Sequence, residues 1–139
     1  MDILIDFDGT CTAHAFPDVG EDIGAVPVLK ELVEKGHRLI LFTMRGTLTG
    51  RTSPETGEVV ESGGLEDAIN WFKDNDIPLH GIQTNPGQSD WTNSPKAYGQ
   101  LIIDDTALGI PLLSNKELSD RPYVDWQGVY FLLKLQGIL

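Results

Sequence analysis

The chain has 139 residues, 40% of them hydrophobic, which fits one packed domain over residues 1–139 and excludes disorder. Its formal net charge of −11 argues against general binding to nucleic acid or anionic membranes, though not against a small phosphorylated substrate. Cys11 is the single cysteine, so no internal disulfide forms; no run spans a bilayer and no basic segment leads into a long apolar one, so a cytoplasmic protein is expected.

The first predicted element is the most informative. Ile3, Leu4 and Ile5 read as a strand buried on both faces, and it runs into Asp6-Phe7-Asp8-Gly9-Thr10. Asp6 falls at the last strand position and Asp8 just beyond, where Gly9 allows the turn and Thr10 braces it. Two carboxylates this close repel unless a proton or a cation intervenes, and a hard cation such as Mg²⁺ takes oxygen ligands. His14 follows in a short irregular stretch, and Cys11 reads as a small buried filler.

Ala25 to Lys35 is predicted helical, with Val26, Leu29, Leu32 and Val33 on one face and Gly36 ending it. Arg38 to Thr43 is a second buried strand, so a right-handed βαβ unit places Thr43 beside Asp6 at one sheet edge. Thr43 offers a hydroxyl there, and Arg45 a fork of donors for an anion. Gly46 to Gly64 is a glycine-rich loop with a turn at 53–58 and Val59-Val60 pairing back as a hairpin; it is a candidate flap over the site, set against a plain surface insertion. Leu65 to Asn75 is a second helix, Leu79 to Gln83 a weak third strand, and 84–93 a polar loop. Lys96 then precedes Leu101-Ile102-Ile103-Asp104-Asp105, a second apolar strand ending in paired acids. Tyr123 to Leu139 is a core-packing helix, with Asp125 as its N-cap.

Together the strand ends make an oxygen-only site for Mg²⁺ from Asp6, Asp8, Asp104 and Asp105. Thr43 and Lys96 add a hydroxyl and a positive charge, and the turn after Asp6 adds backbone amides. Phe7, Thr43, Met44, Arg45 and Lys96 are the expected substrate-side residues. Such a site suits a phosphoryl group.

In these four motifs, Asp6-Phe7-Asp8-Gly9-Thr10, Leu41-Phe42-Thr43, Lys96 and Ile102-Ile103-Asp104-Asp105, the chain resembles the haloacid dehalogenase superfamily, specifically its aspartate-nucleophile phosphatases. The resemblance spans nearly the whole chain. It implies a three-layer α/β/α sandwich around a mostly parallel, Rossmann-like sheet, with the first strand central. It implies a Mg²⁺-dependent phosphomonoester hydrolase in which Asp6 forms an aspartyl-phosphate and Asp8 is the general acid/base, its carbonyl also on the metal. Thr43 is implied to hold phosphoryl oxygens, Lys96 to neutralise charge, and Asp104 with Asp105 to complete the Mg²⁺ site. Neither gap between motifs holds a cap domain, so the chain resembles a small capless member. The expected partner is a phosphorylated substrate of unknown size, met by a monomer or a homo-oligomer; His14, Arg45 and Arg51 are candidate specificity residues. A phospho-acceptor receiver domain uses similar residues, but in a different strand order. A non-catalytic phosphate- or Mg²⁺-binding domain and a phosphotransferase are the alternatives.

Overall fold

The structure, a computed structural model, describes residues 1–47, 51–52, 55–57, 59–60 and 64–139. Strand β1 (Asp2–Ile5) leads to helix α1 (Ala25–Glu34) and strand β2 (Arg38–Leu41). A short hairpin, β3 (Arg51–Thr52) with β4 (Val59–Val60), precedes helix α2 (Leu65–Asp74) and strand β5 (Gly81–Ile82). Strand β6 (Leu101–Ile103), a second hairpin of β7 (Leu112–Leu113) and β8 (Tyr123–Val124), and helix α3 (Trp126–Leu135) complete the chain.

The described residues form a four-stranded sheet of order β5-β2-β1-β6, with every pairing parallel. The first strand is central, as the sequence predicts. Ile5 is in register with Leu41 on one side and Ile103 on the other. The ladder continues one step further through Asp6 N–H to Ile103 O (3.0 Å) and Phe42 N–H to Ile5 O (2.8 Å). That register brings Asp6, Thr43 and Asp104 to a single edge, the carboxyl ends of the strands, where open parallel sheets bind ligands.

Alternation along each strand divides the core. Ile3, Ile5, Leu39, Leu41 and Ile103 face one side, where they pack with Leu29 and Leu32 of α1, Phe72 of α2 and Val129 and Leu133 of α3. The α1 face is turned slightly from the predicted one: Ala25, Val28, Leu29 and Leu32 are the buried residues, and Val26 and Val33 flank them. Leu4 and Ile40 face the other side and pack with Ala97.

The two faces are covered unequally. The expected third layer is built from residues 84–100, whose regular structure is one 3₁₀ turn, Gln88–Asp90. The crossover from β5 to β6 returns across the sheet on the face opposite the helices, and its polar, Pro86-Gly87-containing sequence does not sustain a helix. Gly99 lies against Leu4 there; a Cβ would come within 2.7 Å of Leu4 Cγ. Ile102 stays 46% exposed on this thinner side.

Among the described residues no helix is long and apolar enough to cross a membrane. The predicted flap over 46–64 falls partly outside the described residues. Its hairpin is present as β3 with β4, and the excursion closes at its base, where Leu65 N–H donates to Gly46 O (2.9 Å).

Candidate active site

The turn after β1 is built by its own backbone. Thr10 and Cys11 N–H donate to Phe7 O (3.1 and 2.8 Å), Gly9 N–H donates to Thr12 O (2.8 Å), and Gly9 takes φ +79°. The Thr10 hydroxyl, fully buried, does two jobs: it donates to Asp6 Oδ2 (2.8 Å) and accepts from Asp105 N–H (3.0 Å). The two acidic loops are thereby fixed relative to each other. From the far end of the chain, Trp126 Nε1–H donates to Thr10 O (2.7 Å) and Val124 N–H to Gly9 O (2.9 Å). Cys11 is buried, its thiol donating to Asp6 O (3.2 Å), and burial pushes its pKa up, which suits a filler.

One carboxylate oxygen from each of Asp6, Asp104 and Asp105 lies within 4.8 Å of the others. Burial pushes the Asp6 carboxyl up from 3.8 to about 7; the charges of Asp104 and Asp105 add to this, and bonds from the Thr10 hydroxyl and the Phe7 amide offset part of it. Asp105 is raised as well, by burial first and by Asp104, against the attraction of His14 and Arg121. Three acids held together at this cost could hold a hard, oxygen-seeking cation.

The cluster forms the floor of a cleft of about 480 Å³ that also takes in Asp8, Thr43 and Arg121. His14 Nε2 sits 3.0 Å from Asp105 Oδ2 and 3.1 Å from Pro122 O, so it braces Asp105 from within the cleft wall. Thr43 is placed by Gln83, whose side chain accepts from Thr43 N–H (3.0 Å) and donates to the carbonyls of Thr43 (2.7 Å) and Arg45 (2.9 Å). The Thr43 hydroxyl accepts from Arg45 N–H (3.2 Å).

Arg45 does not reach into the cleft. Its side chain is 1% exposed and grips both oxygens of Asp8, Nε on Oδ2 and Nη2 on Oδ1, each at 2.8 Å. It also donates to Pro17 O (3.2 Å) and Asp18 O (2.8 Å). The Asp8 carboxylate lies outside the triad that brings Asp6, Asp104 and Asp105 together. The Phe7 side chain is fully buried against Trp71 and Phe72, so Phe7 serves the site through its backbone amide alone. Met44 stands almost wholly exposed on the rim.

Lys96 is the predicted site residue that the fold places elsewhere. It is exposed in the 84–100 segment, where Gln88 Nε2 donates to its carbonyl (2.7 Å). Nearby, Asn85 joins Tyr98 O to the carboxylate of Asp2, the first residue of β1. Ala97, next to Lys96, packs on Leu4 and Ile40 on the thinner face of the sheet. The Lys96 side chain borders a separate groove with Trp91 and Tyr98. In the cleft itself the cation at the mouth is Arg121, 3.9 Å from Asp105 Oδ2. Sequence reasoning did not single out Arg121 or Gln83, because neither belongs to a local motif. The Arg51 side chain lies outside what is described.

No sequence profile of a known family matches the chain, and no curated protein does. A solved structure described as that of a conserved protein from Bacteroides thetaiotaomicron superposes with a TM-score of 0.68 at 29% identity. The match covers 98% of this chain and 91% of that one, and it supports the α/β fold with its parallel sheet along the whole length.

Proposed function

We propose that the protein is a Mg²⁺-dependent phosphomonoester hydrolase of the haloacid dehalogenase type, with Asp6 as nucleophile. The observation that carries this reading is the convergence of Asp6, Asp104 and Asp105 at the ends of two adjacent parallel strands, with Thr43 at the end of a third. In this reading a carboxylate oxygen of Asp6 attacks phosphorus while the ester P–O bond breaks, and water then attacks the aspartyl-phosphate to release phosphate. The Thr43 hydroxyl and the Phe7 and Asp8 amides hold phosphoryl oxygens in this reading, the Gly9, Thr10 and Cys11 amides being taken up within the turn. Asp6, Asp104 and Asp105 hold Mg²⁺, which supplies charge neutralisation between nucleophile and phosphate. Proton transfer to the leaving oxygen falls to Asp8 in this reading, and it requires one Asp8 oxygen to leave Arg45, which grips both here, and to carry the proton. Lys96 lines a separate groove, and Arg121, which lines this cleft, is the side chain that meets substrate charge in this reading.

The position of Lys96 favours a second reading, a domain that binds Mg²⁺ and phosphate without hydrolysis. Phosphate release from a panel of phosphomonoesters, with and without Mg²⁺, separates the two. Turnover that requires both Mg²⁺ and Asp6, and is abolished in Asp6→Asn, is the expected result. Binding of phosphate with Mg²⁺ but no turnover of any ester would overturn the hydrolase reading.

A further inference from the structure

We propose that the substrate carries a planar aromatic ring beside its phosphoryl group, stacked on Phe16; this rests on the reading of the cleft as a phosphomonoesterase site. Phe16 lines the cleft that holds Asp6 and Thr43, and it is 47% exposed. A large apolar ring left in water is unfavourable, and here it stands beside a floor of acids.

The ring is held rather than loose. The Arg45 guanidinium carbon lies 5.1 Å from the Phe16 ring centroid and 5.1 Å from that of Phe7, so Phe7, Arg45 and Phe16 form one stack. Its root is in the core: Phe7 is fully buried, and Arg45 is tied to Asp8 and to the carbonyls of Pro17 and Asp18, the residues that follow Phe16. Rigid surfaces lose less entropy on binding, and an aromatic ring backed by a cation is ready for a second planar group. Met44, 98% exposed on the same cleft, adds a flexible thioether suited to ring edges.

The alternatives fit less well. A bare sugar ring could use Thr106, Asp104 and Arg121 of the same cleft but would leave the exposed faces of Phe16 and Met44 unused. A polyanionic strand meets a chain of net charge −11. A cleft of about 480 Å³ is the size that holds a small ester with one ring system.

The test compares steady-state kinetics, with Mg²⁺, on pairs that share a leaving-group type: benzyl phosphate against cyclohexylmethyl phosphate, and a nucleoside 5′-monophosphate against ribose 5-phosphate. Wild type should favour the planar member of each pair by about tenfold in kcat/KM, mostly through KM, the scale of one aromatic stack. Phe16→Leu should bring both ratios close to one, and Phe16→Tyr should restore them. Because the readout is a ratio within one variant, a general loss of activity does not imitate the result. Turnover with ratios near one in wild type, or ratios unchanged in Phe16→Leu, would overturn the ring assignment and leave the hydrolase standing. No turnover of any ester would overturn the hydrolase reading, and the ring assignment with it.

Discussion

Asp6→Asn should make the protein more stable at neutral pH. Unfolded, Asp6 ionises near 3.8; folded, near 7. Between these values the native state holds a proton that the unfolded state has lost, so stability falls as pH rises through the window and is lowest above it. At ~1.4 kcal/mol per tenfold, the full penalty is ~4 kcal/mol. Asp6 is partly open to the cleft, and solvent screening reduces this to ~2 kcal/mol. Asn keeps an oxygen for the Thr10 hydroxyl and replaces a repelling charge with an amide that can donate toward Asp104 and Asp105. For a chain of this length ~2 kcal/mol corresponds to a rise of about 7 °C in Tm. Thermal and urea unfolding of both proteins at pH 4 and pH 8 reads it directly. The curves should nearly coincide at pH 4 and separate at pH 8. Saturating Mg²⁺ should then close the gap by stabilising wild type, as a cation at a hundred times its Kd adds ~2.7 kcal/mol. If Asp6→Asn is no more stable than wild type at pH 8, or the difference ignores pH, the electrostatic account of the cluster is wrong.

Lys96→Ala should leave turnover and Mg²⁺-dependent stabilisation within about twofold of wild type, since loss of an exposed side chain that does not line the cleft is usually a small effect; a hundredfold drop in kcat would show that Lys96 reaches the substrate. Arg45→Ala strips both oxygens of Asp8 and the Pro17 and Asp18 carbonyls of their donor, and should cost ~3 kcal/mol in urea unfolding, with Arg45→Lys recovering only part because an ammonium cannot grip two oxygens at once. Gly9→Ala places a Cβ at φ +79° into the His14 ring and within 2.9 Å of Asp105 Oδ2. It should weaken Mg²⁺ binding by about tenfold or more, the lower end for displaced supports of metal ligands, in a thermal-shift titration; unchanged Mg²⁺ affinity would show that His14 does not set Asp105.

The parts legible in the sequence are those written locally. Apolar runs marked β1, β2 and β6, although only β1 and most of β2 are buried on both faces and β6 leaves Ile102 exposed, and the acids that end β1 and β6 marked the edge where the acidic cluster forms. Asp125 was legible as a cap because capping is a contact within one turn; it accepts from Gln127 N–H. What could not be read depends on where the chain goes between elements. Lys96 precedes β6 in sequence, and only the path of the helix-free return across the sheet shows that it borders a groove separate from the acidic cleft. Arg45 has the same sequence whether it points out to an anion or inward to Asp8, and burial decided it. The pairing of β7 with β8, and the bond from Trp126 to Thr10, join distant segments that no short pattern relates. Gln83, at φ +62°, holds the Thr43 loop through a single side chain, a task with no compositional trace.

The thin face of the sheet carries its own hazard. The 84–100 segment is tied to β1 through Asp2, by the Asn85 amide and by Gln100, while Gln88 to Ser94, Lys96 and the Tyr98 N–H, and Asn85 to Tyr98 O, hold the segment together internally. Lifting it breaks few ladder bonds and bares Leu4 and Ile40 beside β6, the edge strand with Ile102 already showing. Such an opening leaves the helical side folded while presenting a strip of sticky backbone and aliphatic surface to another chain. Self-association under stress is therefore expected to begin from this face, and strengthening the Asn85–Asp2 tie should suppress it without touching the Asp6, Asp104 and Asp105 edge.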